Sequence, residues 1–357
     1  MSTGVVPADT GQREPVAVPS APRTRVVPIL EGTVVLAQHY LETPAGAFAG
    51  GACDFSADRA AARARAETVE RASLIGNGPD LLVSAEEAER RGLARRLPDP
   101  DLAGVSSWIP ATDSVSGESV VVPAEWALVR WSGKREPRWQ QSSVGAAAHV
   151  TRDAACTTGL LEALERYAVR RTWAGVAALV PASDRLRKSL PEPLRAALAG
   201  QGLTVHAWLI VDLAAVPVGL VLVDGSGGRA TFGSSAKSSI DAALEHAFCE
   251  AISVRAALAG DTLGRDERVR YARRAARHGD AFVAFLRGLE VAAPSQPNAV
   301  APTDLAGWVQ EQFGCAPLAI DIPAIGAGAV VKMVIPCHEF LVERHRFPYI
   351  LAPGYLE

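Results

Sequence analysis

The sequence predicts a mixed α/β fold in which mixed sheets are flanked by helices. Strand-like and helical runs interleave along the chain without a clean linker, and 48% of its 357 residues are hydrophobic. A chain of this length and composition can bury a large core. We therefore expect one domain over residues 26–357. Residues 1–25 are rich in Pro, Thr, Val and Gly without periodicity, which predicts a disordered lead-in.

The elements follow from local patterns, taken in chain order. Apolar spacing with a helical period predicts three long helices, at Asp58–Ile75, Thr157–Trp173 and Ser239–Gly260. Runs rich in β-branched residues predict four strands, at Glu118–Trp131, Leu203–Leu213, Val216–Gly225 and Ala329–Pro336. Because the two kinds of element alternate, a layered α/β architecture is expected.

Charge and targeting signals exclude several classes of function. The formal net charge is -3, from 36 Lys and Arg against 39 Asp and Glu, so neither a nucleic-acid nor a membrane partner is predicted. The N-terminus lacks the pattern of a signal peptide, and no apolar run approaches the roughly 18 residues of a membrane span. We therefore expect a cytoplasmic protein. Its five cysteines show no C-x-x-C spacing, which predicts reduced thiols.

Each predicted helix carries glutamates near its middle. The first two contain the pattern E-x-x-E-R, with Glu67 and Glu70 in one and Glu162 and Glu165 in the other, and the third keeps Glu250. Residues three apart on a helix lie about 60° apart around its axis, so each pair can point at a single ion. Carboxylates that converge on one cavity repel one another unless cations intervene, and Mg²⁺ prefers such oxygen ligands.

An ordinary solvated helix face explains the same pattern. On the second helix the glutamates fall opposite an apolar arc that includes Leu160, Leu161 and Leu164. Glutamate followed four residues later by arginine also stabilises exposed helices. However, three such helices occur in one chain, and each is preceded by a loop of small residues. This repetition makes a shared cavity as well supported as an ordinary solvated face. No Walker loop and no G-x-G-x-x-G after a strand occur.

The order of these motifs resembles the YcaO superfamily, whose members modify peptide backbones with ATP. The resemblance rests on four stretches, which cover roughly residues 50–340: "GGACDFSADRAAARARAETVERAS", "SSVGAAAHVTRDAACTTGLLEALERYAVRRTW", "FGSSAKSSIDAALEHAFCEAISVR" and "AGAVVKMVIPCHEF". Each motif alone is weak, but four in the family's order are fairly specific. The resemblance implies mixed sheets flanked by helices around a central nucleotide cavity.

The resemblance also implies the cofactors, the reaction and the site residues. ATP and Mg²⁺ would occupy the cavity, and a peptide amide oxygen would be phosphorylated after a nucleophile adds to its carbonyl carbon. A Cys, Ser or Thr nucleophile would give an azoline, sulfide a thioamide, and an amine an amidine. The implied metal ligands, which also contact the nucleotide, are Glu67, Glu70, Glu162, Glu165 and Glu250. Three arginines, Arg71, Arg166 and Arg255, would neighbour the phosphates or brace those acids.

The chain departs from the family pattern at four polar positions. Ala52 stands where a lysine is typical, Arg63 where a serine is frequent, Val144 where an asparagine is common and Ser253 where a glutamine is common. These changes support an alternative, a degenerate YcaO-like scaffold or partner-binding subunit without ATP turnover. A precursor peptide is expected as substrate. A separate leader-binding, TfuA-type or ubiquitin-activating-like protein is expected to deliver it, and homodimerisation stays open.

Overall fold

The computed structural model describes residues 21–76, 81–96, 105, 107–129, 141–213, 215–225, 230–259, 279–291, 303–337 and 340. It begins with an antiparallel sheet of three strands in sequential order: β1 (Arg23–Ile29), β2 (Val34–Thr43) and β3 (Gly46–Asp54). The first strand thus includes residues 23–25, which the sequence had assigned to the disordered lead-in. Residues 1–20 of that predicted lead-in lie outside the described residues.

Two larger sheets follow. The six-stranded sheet has the order β4-β6-β5-β12-β13-β7. Its strands are β4 (Ala94–Arg95), β5 (Trp108–Asp113), β6 (Ser119–Pro123), β7 (Ala146–His149), β12 (Leu318–Ile322) and β13 (Ala329–Val334). The four-stranded sheet has the order β11-β10-β9-β8. Its strands are β8 (Leu179–Pro181), β9 (Leu203–Ile210), β10 (Val218–Gly225) and β11 (Thr231–Ala236).

The described helices run between and beside these strands. The three long ones are α1 (Ala57–Gly76), α4 (Arg152–Trp173) and α7 (Ile240–Ala259). The shorter ones are α2 (Ala85–Arg90), α3 (Ala124–Ala127), α5 (Ser183–Ser189), α6 (Glu192–Gly200), α8 (Gly279–Gly288) and α9 (Leu305–Phe313). No helix in the described part of the chain is long and apolar enough to cross a membrane.

Each long helix directly follows a strand and packs on it. Helix α1 lies on β2 and β3, where Gly50 allows close approach: a Cβ there would lie 2.4 Å from the carbonyl oxygen of Ala64. Helix α4 packs on β7, β13 and β11, and α7 packs on β10 and β11. Leu164 of α4 and Phe248 of α7 are fully buried, and burying such a side chain contributes about 1.5–3 kcal/mol.

The predicted mixed α/β architecture is confirmed, and all three predicted long helices are present. The strands predicted from Leu203, Val216 and Ala329 are present as β9, β10 and β13. The segment Glu118–Trp131 differs from the prediction: β6 ends at Pro123 and the short helix α3 follows. Proline has no amide hydrogen and fixes its own φ, so it is suited to the point where the ladder stops and a helix starts.

Candidate functional site

One cavity of about 720 Å³ lies between the three long helices. Its walls come from β3, β7, β10 and β11 as well as from α1, α4 and α7. All five glutamates that the sequence analysis nominated line it: Glu67, Glu70, Glu162, Glu165 and Glu250. The interpretation of these acids as a shared cavity is therefore favoured over three separate solvated faces.

Three glutamates, one on each long helix, accept a backbone amide from the strand that precedes the helix or from the residue just before that strand. Glu67 accepts from Gly51 at 2.6 Å, Glu162 from Gly145 at 3.2 Å and Glu250 from Ser234 at 3.2 Å. Donor and acceptor lie 16, 17 and 16 residues apart in the three cases. Hydrogen bonds to a carboxylate are stronger than neutral ones, so the backbone before each helix orients that helix's own acid.

Glu165 is held differently, by β11, the edge strand of the four-stranded sheet. Its two carboxylate oxygens accept hydrogen bonds from the Ser234 hydroxyl at 2.6 Å and from the Ala236 amide at 3.1 Å. The residue is only 6% exposed. The solvated-face interpretation is therefore wrong for Glu165, because an edge strand from a distant part of the chain covers that face of α4.

Glu70 lies where the acids crowd one another. Burial raises its pKa well above the ordinary value, and the nearby charges of Glu162 and Glu67 raise it further. Arg71 and Lys332 act in the opposite direction. A bound divalent cation would stabilise the ionised form of Glu70, because it places positive charge among like charges.

Lys332 interacts with the acids Glu162 and Glu70, although it does not line the cavity, and it is absent from the residues predicted from the sequence. It lies on β13, is only 2% exposed, and donates from Nζ to the carbonyl oxygen of Ser142 at 2.6 Å. Burial lowers its pKa to about 8, against the opposing influence of Glu162 and Glu70. The available signal was a single lysine inside the apolar strand sequence "AVVKMV", since a buried lysine is rare unless it has a partner.

The three predicted arginines have different positions. Arg71 bridges Glu67 at 2.5 Å and donates to the Ala49 carbonyl at 3.0 Å, and Arg166 lies 3.9 Å from Glu162. Both line the cavity. Arg255 does not: it lies beside Gly225 at the end of β10. Five residues along a helix turn the side chain by about 140°, so Arg255 points away from the face that carries Glu250.

Three further basic residues line one end of the cavity, which we call the cationic arm: Arg63, Lys237 and His246. Arg63 bridges the buried Asp54 at 2.9 Å, and Lys237 directly follows β11. Burial lowers the pKa of His246 well below its ordinary value, with smaller contributions from Lys237 and Arg63. This imidazole is therefore neutral at pH 7, and the arm's fixed positive charges are those of Arg63 and Lys237.

Three of the four positions that depart from the family pattern line the cavity, namely Ala52, Arg63 and Ser253, whereas Val144 does not. Ser253 hydrogen-bonds the thiol of Cys53. Burial raises the pKa of Cys53 to about 11 and that of Cys249, also in the lining, to about 12. Both are protonated thiols at neutral pH. The cavity therefore offers no thiolate nucleophile from these two residues.

The acids do not form a preformed metal cage. Among the residues that the structure describes, no three His, Cys, Asp or Glu side chains are grouped closely enough to hold a metal ion. Mg²⁺ is usually bound by one or two carboxylates together with water and substrate phosphates, which matches glutamates spread over three helices. The carboxylates and the cations Arg63, Arg71 and Lys237 thus fit a magnesium-bound triphosphate.

The family model described as YcaO cyclodehydratase, ATP- and Mg²⁺-binding, matches residues 53–337. The chain belongs to the YcaO family. This membership confirms the predicted family, the ATP and Mg²⁺ cofactors, and the expectation of an ATP-dependent cyclodehydratase-type enzyme. A comparison with the sequences of curated proteins found no match.

Solved YcaO-type structures share the fold at low sequence identity. The YcaO protein from Methanopyrus kandleri, solved with AMPPCP and Mg²⁺, is 17% identical with a TM-score of 0.66, over 88% of this chain and 85% of that one. A heterocyclase in complex with substrate and cofactor is 16% identical with a TM-score of 0.67, over 88% of this chain and 49% of that one. The E. coli microcin synthetase McbBCD complex with pro-MccB17 is 15% identical with a TM-score of 0.63, over 88% of this chain and 87% of that one.

Proposed function

We propose that this YcaO protein holds Mg²⁺ and the phosphates of ATP in the acid-lined cavity while a peptide-backbone amide is converted to an azoline. The observation that carries the proposal is a pairing that recurs at each long helix, between a backbone amide upstream of the helix and a glutamate on it. Gly51, Gly145 and Ser234 orient one carboxylate on each helix toward the same cavity. Oriented carboxylates of this kind provide metal ligands without a large reorganisation on binding.

Four of the acids are the best candidates for metal ligands: Glu67, Glu70, Glu162 and Glu250. The first, third and fourth each accept a backbone amide with one oxygen, and because an ionised carboxylate has about four lone-pair sites, each can bind a cation in addition to its protein partners. Glu70 contributes a carboxylate whose ionisation a cation would favour. We assign Glu165 a different role, the positioning of β11 against α4, because both of its oxygens are already bonded to that strand.

The chain's own residues define the rest of the proposed chemistry. Bound ATP supplies the phosphoryl group that makes the amide oxygen a leaving group. Arg71 and Arg166 place positive charge beside Glu67 and Glu162, and Lys237 in the cationic arm is available to phosphate oxygens. Since Cys53 and Cys249 are protonated, the nucleophile comes from the substrate, as azoline formation from Cys, Ser or Thr requires. An external sulfide would instead give a thioamide, and an amine an amidine.

The scaffold alternative has one specific observation in its favour. Arg63, which occupies the position of a frequent family serine, extends into the cavity and is anchored by Asp54. A fixed cation there either binds a phosphate or occupies space that a nucleotide needs. Measuring nucleotide affinity separates these two outcomes.

A peptide substrate and a separate delivery protein complete the proposal. Two similar structures are described as complexes with substrate or with pro-MccB17, and McbBCD is a multi-subunit assembly. We propose by analogy that a leader-binding, TfuA-type or ubiquitin-activating-like partner presents the precursor peptide to this chain. A TfuA-type partner would favour the thioamide product.

The first test is isothermal titration of the protein with AMPPCP and Mg²⁺. We expect Glu162→Gln and Glu70→Gln to weaken binding by about tenfold or more, because each loses a negatively charged ligand. Glu192→Gln, at an exposed position on α6, is the matched control and should bind as the wild type does. Circular dichroism verifies that each variant is folded.

Two outcomes would contradict the proposal. Binding that is equal in wild type and in both cavity variants would place the nucleotide elsewhere, and no binding by a folded wild type would support the scaffold alternative. If binding is observed, mass spectrometry of peptides incubated with ATP and the delivery protein identifies the product. Loss of one water marks an azoline, and exchange of oxygen for sulfur marks a thioamide.

A further inference from the structure

The cavity has a second arm, opposite in character to the cationic arm. We define the apolar arm by six lining residues: Val169, Trp173, Leu220, Phe232, Val254 and Leu258. They come from the C-terminal halves of α4 and α7 and from β10 and β11. All six are uncharged and apolar, so neither a phosphate nor a metal ion finds a partner among them.

Contacts of β11 fix the positions of the two arms. Near the end of the strand, Ala236 bonds Glu165 of α4, and near its start the Phe232 ring lies 5.3 Å from that of Trp173. Moving from Ala236 to Phe232 therefore follows α4 from Glu165 toward its C-terminus. Lys237 of the cationic arm follows Ala236 directly. The two arms thus lie at opposite ends of β11, and Glu165 and Glu250, which bond Ser234 and Ala236, lie between them.

The apolar arm has a cluster of packed aromatic rings on one side and a partly exposed side chain on the other. Trp173 contacts Phe232, Phe282 and Phe285, with ring centroids 5.3, 5.6 and 5.9 Å apart. Val254 and Phe285 are each 38% exposed. Aromatic rings packed in this way lose little conformational freedom on binding and bury large apolar areas, which suits them to anchor an apolar side chain.

We propose that the apolar arm binds an apolar or aromatic side chain of the peptide substrate, two to four residues from the modified amide. This inference rests on the proposed function, which places the reacting amide beside the glutamates. Trp173 and Leu258 each lie eight residues beyond an acid of their own helix, about 12 Å along the axis, and Val254 lies about 6 Å beyond Glu250. An extended peptide spans about 3.3–3.6 Å per residue, so these distances correspond to two to four residues.

Charge complementarity assigns the occupants of the two arms. A triphosphate carries negative charge and fits the end that holds Arg63 and Lys237. A peptide side chain that leaves the glutamates in the other direction meets the six residues of the apolar arm. The nucleobase is the competing occupant, since it too is aromatic, and the experiment is designed to distinguish it.

The probes are fluorescently labelled pentapeptides to octapeptides of Gly and Ser that carry one Cys and one Phe. The Phe is placed one to six residues from the Cys on either side. Anisotropy titrations are run with AMPPCP and Mg²⁺ present, and a peptide with Ser in place of Phe is the reference. We expect a Phe two to four residues away on one side to bind about tenfold more tightly than Ser.

Val254→Asp tests the arm itself. Its side chain is partly exposed on α7, so a charge can be introduced without burying it in a packed core. We expect this variant to lose the preference for Phe while binding AMPPCP with unchanged affinity. Val176→Asp is the control, because Val176 is 58% exposed and lies outside the cavity lining, and it should keep the preference.

Each remaining outcome overturns the inference in a recognisable way. Reduced AMPPCP affinity in Val254→Asp, with the Phe preference retained, would place the nucleobase in the apolar arm. No spacing preference in a wild type that binds AMPPCP would overturn the side-chain inference and leave the proposed function intact. Failure of the wild type to bind AMPPCP would instead count against the proposed function.

Discussion

Helices α1 and α4 carry the same E-x-x-E-R motif, yet their second glutamates have different environments. The first glutamates behave alike: Glu67 and Glu162 each accept the amide of a glycine in the preceding strand or loop. Of the second pair, Glu165 is tied to β11 by two hydrogen bonds, whereas Glu70 lies among other acids with a raised pKa. Identical helical spacing therefore produced one positioning residue, Glu165, and one carboxylate with a raised pKa, Glu70. The reason is that different strands cover the two helices.

This comparison also explains the place of Lys332. The lysine interacts with Glu70 of one helix and Glu162 of the other, and it binds Ser142 in the segment before β7. It therefore links the two motif-bearing helices electrostatically from a third element, β13. The predictions below test how far the two helices differ, from the largest expected effect to the smallest.

Replacing Lys332 by Met should have the largest effect on stability. Removal of one partner from a buried group of charges typically destabilises by about 3–5 kcal/mol, and the Ser142 carbonyl also loses its donor. Urea denaturation measures the free energy of unfolding. Lys188→Met, at an exposed position on α5, is the control. A loss below about 1 kcal/mol in Lys332→Met would contradict the linking role, since surface substitutions typically stay within about 0.5 kcal/mol.

Alanine at the second glutamate should distinguish the two helices directly. Glu165→Ala leaves the Ser234 hydroxyl and the Ala236 amide without their acceptor, and we expect a loss of about 2–4 kcal/mol. Glu70→Ala removes a crowded carboxylate, so its loss should stay below about 1 kcal/mol. Both are measured by urea denaturation at the same pH without Mg²⁺. Equal losses at the two positions would show that the environments do not differ in energy.

The pH dependence of stability should differ between wild type and Glu70→Gln. Because the pKa of Glu70 is raised in the folded state, the folded protein binds more protons than the unfolded chain once the pH exceeds about 4.5. The wild type should therefore lose stability relative to Glu70→Gln as pH rises from about 4.5 through the raised pKa. Denaturation curves of both proteins at several pH values check this. A constant difference between them would rule out the shift.

Arg71→Gln should have the smallest effect. Arg71 is partly exposed, and its bridge to Glu67 is an i,i+4 pair, which contributes about 0.3–0.5 kcal/mol. The hydrogen bond to the Ala49 carbonyl adds a comparable amount. We expect a total loss below about 1.5 kcal/mol by urea denaturation, less than for Glu165→Ala. A larger loss would indicate that Arg71 braces the first helix as firmly as β11 braces the second.

The sequence determined the three long helices, three of the strands and the identity of the acids. Apolar periodicity located α1, α4 and α7, and helical geometry placed the glutamates on shared faces of α1 and α4. The family motifs pointed to one cavity and to ATP with Mg²⁺. These inferences succeeded because they depend on residues within a few turns of one another, where local geometry is fixed by the helix itself.

Only the tertiary structure decided what surrounds each acid. The covering of Glu165 depends on β11 lying at the edge of its sheet, and the place of Lys332 depends on β13 pairing with β7 nearly two hundred residues upstream. Arg255 shares the third motif with Glu250 but points elsewhere, toward Gly225. Contacts of this kind follow from sheet order, which local sequence patterns do not encode. The pKa of Glu70 and the two arms of the cavity follow from the same long-range packing.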